Sequence, residues 1–325
     1  MTAPGRATPR RADAPRRVLA CTVLLAVLGA LAALGTAGTA AGASNANGPV
    51  VEGPHSRACI GAGAMDPNRV CPPARRLITS PEDAFEDISI GYTKCLMWPP
   101  YPDETLSCVL GDSTRPRARI ALFGNSHAGH WAEALSRIAK EHHWQLDTFI
   151  MGACFSTLEP SPDPCSEIRS KVAASILGGH YDLVIMATFD DNPQSRPATY
   201  ASTLQDLTGV GSNVLVIRDT PVPGPTIPLT IDCLQDHPRH WKKCAGRTRD
   251  WVSKDRLAQA AKQLGDPRIR TVDLTRFFCR DGTCPAVIGG EIPYRDTSHL
   301  TVTFTRSLIP YLRPAVEAAM TAGRS

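Results

Sequence analysis

The sequence predicts an α/β protein built on a central parallel sheet covered by helices on both faces. Three observations carry that expectation. From Ala118 onward, short apolar runs alternate with longer amphipathic ones, the pattern of strands joined by helical crossovers. The 325 residues are 42% hydrophobic and 20% charged, enough apolar material for one large core or two small ones. No repeat or low-complexity array points to a solenoid.

Taken in order, Arg119 to Phe123 (RIALF) reads as a buried strand, and Ala128 to Trp144 as a helix with apolar positions at Trp131, Leu135, Ile138 and Ala139. Leu146 to Met151 is a second strand, and Ser166 to Leu177 a second helix closed by Gly178-Gly179. Tyr181 to Ala187 (YDLVIMA) is the third strand, Tyr200 to Leu207 a helix, and Asn213 to Ile217 (NVLVI) the fourth strand. Helical spacing then covers Arg249 to Leu264, Arg270 to Leu274 forms a fifth strand, and a last helix runs from Val302 to Met320. In such sheets chemistry gathers where strands end and helices begin.

The N-terminus has a different character. Arg6, Arg10, Arg11, Arg16 and Arg17 precede an apolar run from Val18 to Leu34, and small residues follow to Ala43. The run is long for a signal peptide and close to the lower limit for crossing a bilayer. Cleavage after Ala41 or Ala43 therefore competes with retention as a single membrane anchor, and the length favours the anchor. The arginines stay on the cytoplasmic side, which places the remainder outside the cytoplasm in either case: membrane-anchored, or secreted if the segment is cleaved. The expected organisation is a basic N-terminus with a signal or anchor segment (1–43), a linker and Cys/Pro-rich lead-in (44–94), and a catalytic α/β domain (95–325).

Charge and cysteine content agree with export. The net charge of +4 is accounted for by residues 1–43, and the 30 basic and 30 acidic residues of the remainder cancel. No basic stripe is left for nucleic acid. Apart from Cys21, ten cysteines remain: Cys59, Cys71, Cys95, Cys108, Cys154, Cys165, Cys233, Cys244, Cys279 and Cys284. An even number suits five disulfides in an oxidising compartment. Connectivity is open, with neighbour pairing the simplest arrangement. No Cys-x-x-Cys occurs, and His142-His143 and His237-x-x-His240 have no matching acidic ligands, so no metal site is expected from them.

The chemistry concentrates in two short stretches. Phe123-Gly124-Asn125-Ser126-His127-Ala128 lies between the first strand and the first long helix, where a helix N-terminus turns its N–H groups towards Ser126 and any developing oxyanion. This segment alone suits Ser126 equally as a helix cap and as a nucleophile. Near the other end, Tyr294-Arg295-Asp296-Thr297-Ser298-His299-Leu300 puts an Asp and a His three residues apart, so the carboxylate can orient the imidazole towards a serine.

These stretches resemble the SGNH hydrolases. Gly124 to Ala128 is similar to their first block, GDSHA, and Asp296 to Leu300 to their last, DxxHL. The resemblance is closest to extracytoplasmic SGNH domains fused to membrane acyltransferases that O-acylate cell-surface glycans, which share the Gly129-His130-Trp131 helix and a stretch like Cys284 to Thr301; it covers roughly residues 95–320. It implies a flavodoxin-like three-layer α/β/α fold with Ser126 as nucleophile, His299 as general base and Asp296 as its orienter. It implies no cofactor. The sequence departs from the pattern in carrying Asn125 in place of Asp, and in having only one apolar run where the multi-span acyltransferase half would stand. Of the oxyanion donors, the second-block glycine corresponds to Gly152 and the third-block asparagine to Asn192, for which a loop-capping role is equally suited.

The function expected is that of an extracytoplasmic serine esterase or O-acyltransferase acting on acyl, in particular acetyl, esters of cell-surface carbohydrate. A separate membrane acyltransferase is the expected partner if the chain transfers rather than hydrolyses. The alternative is a non-catalytic wall- or glycan-binding module on the same fold.

Overall fold

The computed structural model describes residues 49–53, 56–190 and 195–323. By their contacts, residues 1–44 and 45–325 separate into two units, and the first, with the expected signal or anchor segment, lies outside the described residues. Among the described residues no helix is long and apolar enough to cross a membrane.

The central sheet has seven strands: β1 (Leu96–Met97), β2 (Val109–Gly111), β3 (Ala118–Gly124), β4 (Trp144–Met151), β5 (Leu183–Ala187), β6 (Asn213–Ile217) and β7 (Ile269–Val272). Across the sheet they run β7-β6-β5-β3-β4-β1 with every pair parallel. Strand β2 pairs antiparallel with β4, Val109 facing Asp147. The five principal strands, counted from β3, therefore lie in the order 2-1-3-4-5, the flavodoxin-like winding. In that winding the chain moves to one side of β3 and then crosses to the other, which opens a crevice at the carboxyl ends of β3 and β5.

Eight helices matter to the site and its support: α1 (Ile90–Thr93), α2 (Ser126–Gly129), α3 (Ala132–Glu141), α4 (Ser166–Gly178), α5 (Pro197–Gly209), α6 (Arg256–Leu264), α7 (Val302–Ser307) and α8 (Ile309–Met320). The two-residue period of the strands divides their side chains between the sheet's faces. Ile120, Leu122, Ile185 and Leu215 pack with Leu135 of α3 and Leu312 of α8. Ala121, Phe123, Val184 and Val216 pack with Val172 of α4, Leu204 of α5 and Leu257 of α6. Helices thus cover both faces in three α/β/α layers, which is why LVIMA and NVLVI are continuously apolar rather than alternating.

Three helices differ from the sequence reading. The expected helix from Ala128 to Trp144 is interrupted at His130 and Trp131 and stops at Glu141; His143, with φ 57°, turns the chain so that Trp144 enters β4 opposite Ala118. The helix expected over Arg249 to Leu264 is two pieces, because Asp255 is extended and caps a new start by accepting from the Ala258 N–H. The last helix divides at Leu308, with Pro310 placed in the opening turn of α8, where its missing N–H costs nothing.

Disulfides join Cys59 to Cys71, Cys95 to Cys108, Cys154 to Cys165, Cys233 to Cys244 and Cys279 to Cys284, each cysteine with its neighbour in sequence. The described part of the lead-in forms only short elements, yet it is bound to the α/β/α layers. The Asp87 carbonyl and carboxylate accept the Val302 and Thr303 N–H groups at the start of α7, and Ser307 Oγ accepts from the Ala62 N–H.

Candidate active site

The turn after β3 is shaped by two residues. A Cβ on Gly124 would lie 1.9 Å from the Ala187 carbonyl oxygen, so glycine lets the end of β3 press against β5. Asn125 then caps α2: its Oδ1 accepts from the N–H groups of His127 (3.1 Å) and Phe189 (3.0 Å), while its Nδ2 donates to the Phe189 carbonyl (2.7 Å). The Phe189 peptide needs both a donor and an acceptor, and an amide supplies both. A carboxylate here would set charge against a carbonyl oxygen. The tie holds Ser126, the first residue of α2, at the carboxyl end of β3.

The opposite wall comes from the loop preceding α7. The Arg295 N–H closes it on the His299 carbonyl (2.9 Å), and Asp296 Oδ1 accepts the N–H groups of Ser298 (3.0 Å) and His299 (2.8 Å). The same carboxylate lies 2.8 and 2.9 Å from His299 Nδ1. His299 Nε2 lies 3.0 Å from Ser126 Oγ. Ser126, His299 and Asp296 thus form one hydrogen-bonded line between segments 173 residues apart.

A second line runs beside it through the adjacent residues. His127 Nδ1 is 2.6 Å from Asp219 Oδ1, and His127 Nε2 is 3.2 Å from Ser298 Oγ. All three of these side chains are largely buried. The two segments are therefore cross-tied twice, once through Ser126 and His299 and once through the neighbour of each.

The electrostatics suit a neutral base beside an ionised carboxylate. Burial would raise the Asp296 pKa, but the His299 ring, its charge, and the N–H groups of Ser298 and His299 outweigh it and bring the carboxyl down to about 2. Burial lowers the His299 pKa below its ordinary value despite the opposing pull of Asp296. His130 is held well below the usual imidazole range, first by burial and then by His127, His299 and Arg295.

His127, His130 and His299 form, among the described residues, a cluster in which one ring nitrogen from each lies within 4.8 Å of the others, a set that could hold a metal ion. Five of the six ring nitrogens are engaged: those of His127 with Asp219 and Ser298, those of His299 with Asp296 and Ser126, and His130 Nε2 with the Leu300 N–H at 3.4 Å. His130 Nδ1 is buried and has no hydrogen-bond partner among the described residues.

The expected oxyanion donors fare differently. The Gly152 N–H is donated to the Met97 carbonyl (2.8 Å), so it is committed to the pairing of β1 with β4. Its lack of a side chain makes room for Trp98, whose ring a Cβ would meet at 2.1 Å. Asn192 lies outside the described residues.

Sequence reasoning missed three contributors. Asp219 follows β6 at the carboxyl edge of the sheet, and that position was the available signal. Asn125 stood out only as a departure from a pattern. Tyr92 belongs to the lead-in, where nothing marked it, yet its ring sits edge-on to His299 at 4.9 Å. A separate groove of 890 Å³ lies along β7 and α6; none of the three residues of the hydrogen-bonded line contributes to it.

A family model, SGNH domain (fused to AT3 domains), matches residues 94–314. Among solved structures, the chain is similar to the periplasmic domain of the lipopolysaccharide acetyltransferase of Salmonella ser. Paratyphi A, at 13% identity and a TM-score of 0.49, covering 62% of this chain and 84% of that one. No curated protein matches.

Proposed function

The chain belongs to the SGNH family, and from that premise we propose that it is an extracytoplasmic serine esterase or O-acyltransferase working on acyl, in particular acetyl, esters of cell-surface carbohydrate. The observation that carries the reading is the unbroken line from Ser126 Oγ through the His299 ring to the Asp296 carboxylate. In this reading neutral His299 takes the Ser126 proton on Nε2 as Oγ attacks the acyl carbon. Asp296 holds Nδ1–H and stabilises the imidazolium that forms. The Ser126 N–H at the start of α2 supports the oxyanion. Collapse breaks the bond to the leaving alkoxide, which takes the proton from His299, and the acyl group stays on Ser126. Water or a sugar hydroxyl then gives its proton to His299 and attacks the acyl carbon, and collapse breaks the acyl–Oγ bond as His299 returns the proton to Ser126.

Five disulfides support an oxidising compartment. The arginine-flanked apolar run supports delivery to the membrane by one N-terminal span, or secretion if that segment is cleaved. Transfer requires an acceptor held close and water kept away. With 6% aromatic residues the chain offers little stacking surface for a sugar, so it acts mainly as a hydrolase unless a separate membrane acyltransferase works beside it. The test is to supply an activated acetyl ester with glycan acceptors at rising concentration and to measure free acetate against acetylated sugar. Free acetate should dominate; acetylated sugar dominating at modest acceptor concentration makes the chain a transferase in its own right, and neither product refutes the assignment.

A further inference from the structure

We propose that Tyr92 is a catalytic residue, its hydroxyl donating a hydrogen bond to the oxygen that carries negative charge when Ser126 reacts. The proposal rests on Ser126 being the nucleophile. It extends the site into a segment ahead of residue 94, where the family match begins.

The phenol is fixed from several sides. Helix α1 is capped by Ser89, whose Oγ accepts from the Gly91 N–H (3.1 Å), and the Cys95–Cys108 disulfide anchors the chain three residues beyond Tyr92. Gly91 lies so close to α2 that a Cβ there would be 2.5 Å from the Gly129 carbonyl oxygen, while a Cβ on Gly129 would lie 3.1 Å from the Tyr92 ring. Two glycines thus bring the tyrosine against the helix that Ser126 begins. Its ring is edge-on to His299 at 4.9 Å and near-parallel to His130 at 6.0 Å. The Arg295 guanidinium lies 5.3 Å from its centroid.

The hydroxyl at the end of this ring is buried and makes no hydrogen bond of ordinary geometry with any described residue. It nevertheless comes near enough to Ser126 for the two side chains to interact. A buried donor left unmatched costs about 1–3 kcal/mol, and folds retain such groups where a ligand completes them. The missing partner is an oxygen beside Ser126 Oγ, where the oxyanion of a tetrahedral intermediate forms. Burial holds the phenol well above its ordinary pKa, reinforced by the Asp296 charge and only partly offset by Ser126 and Arg295, so the group remains a donor throughout the working range of a histidine base. The Gly152 N–H, already given to Met97, leaves room for another donor in this role.

Tyr92→Phe in the full-length protein removes the hydroxyl and keeps every ring contact. With an aryl acetate, kcat should fall by ~10²–10³-fold with KM within about twofold of wild type, as expected for the loss of one oxyanion donor. Phosphonylation of Ser126 by a fluorophosphonate should slow in parallel. The melting temperature should hold or rise, because an unmatched buried polar group has gone. Unchanged kcat overturns the proposal, and so does a kcat loss matched by a lower melting temperature, which marks the hydroxyl as structural. Wild-type protein that never labels on Ser126 refutes the serine reading itself, and Tyr92 with it; normal wild-type labelling beside an unimpaired Tyr92→Phe variant refutes Tyr92 alone.

Discussion

His127 and Asp219 meet at 2.6 Å between Nδ1 and Oδ1, each side chain less than a tenth exposed, one residue along the chain from Ser126. With Nδ1–H given to the carboxylate, Nε2 is left to accept the Ser298 hydroxyl, so Asp219 sets the tautomer that links the two catalytic segments. Asp219→Ala should lower stability by about 2–4 kcal/mol in urea titration, because it strands a buried imidazole. It should also lower kcat about tenfold with little change in KM, through looser alignment of His299 with Ser126. Wild-type kcat in a folded Asp219→Ala protein contradicts this role.

The pH dependence follows from His299. Catalysis needs the imidazole neutral, and burial has lowered its pKa, so kcat/KM should rise with pH along a limb centred below the ordinary histidine value and level off above it. The Asp296 carboxylate opposes that lowering, so Asp296→Asn should move the limb to still lower pH while cutting the plateau by roughly 10²–10⁴-fold. A limb centred above pH 7 in the wild type would refute the base assignment.

Glu291 gives a stability prediction of opposite sign. Burial, with Asp87 adding to it and Ser307 opposing it, pushes this carboxyl up to about 7, and its Oε2 makes no hydrogen bond of ordinary geometry with a described residue. The unfolded chain ionises near 4.5 while the fold resists until about 7, so stability is lost as pH rises through that window. Glu291→Gln should therefore match wild type at pH 4 and exceed it by about 1–3 kcal/mol at pH 8. Parallel stability curves for the two proteins across pH 4–8 refute this.

The Cys154–Cys165 disulfide closes the loop that follows β4, with a separation of 11 residues. Replacing both cysteines with alanine should cost about 2–3 kcal/mol in a denaturant titration, and mass mapping of the native protein should find none of the ten cysteines from Cys59 to Cys284 as a free thiol. Ten free thiols would contradict the oxidised fold.

What the sequence disclosed divides along physical lines. Strands such as Asn213–Ile217 were legible because both faces are buried and the whole run is apolar. The Gly124–Ala128 and Asp296–Leu300 patterns were legible because each is short and local, and the structure brings their Ser126, His299 and Asp296 side chains together. The helix breaks at His130 and before Asp255 were not, since they depend on packing and on a cap whose alternative was a longer continuous helix. Long-range partners were the least accessible. Asp219 lies 92 residues from His127, and the Tyr92 ring comes against α2 because Gly91 and Gly129 let two short helices touch. Gly152 had the right place in the chain for a donor, but its N–H is taken by a two-residue strand too short to read from periodicity.

Everything proposed for the site depends on Ser126 being a reactive nucleophile, and the most direct measurement is active-site labelling. Purified protein is treated with a fluorophosphonate and the adduct mapped by peptide mass spectrometry, alongside Ser126→Ala and His299→Ala. One adduct is expected, on Ser126, absent from Ser126→Ala and slowed by at least ~10³-fold in His299→Ala. Aryl acetate hydrolysis should be lost in the same two variants. An unlabelled wild-type protein, or full hydrolytic activity in Ser126→Ala, would contradict the Ser126 assignment.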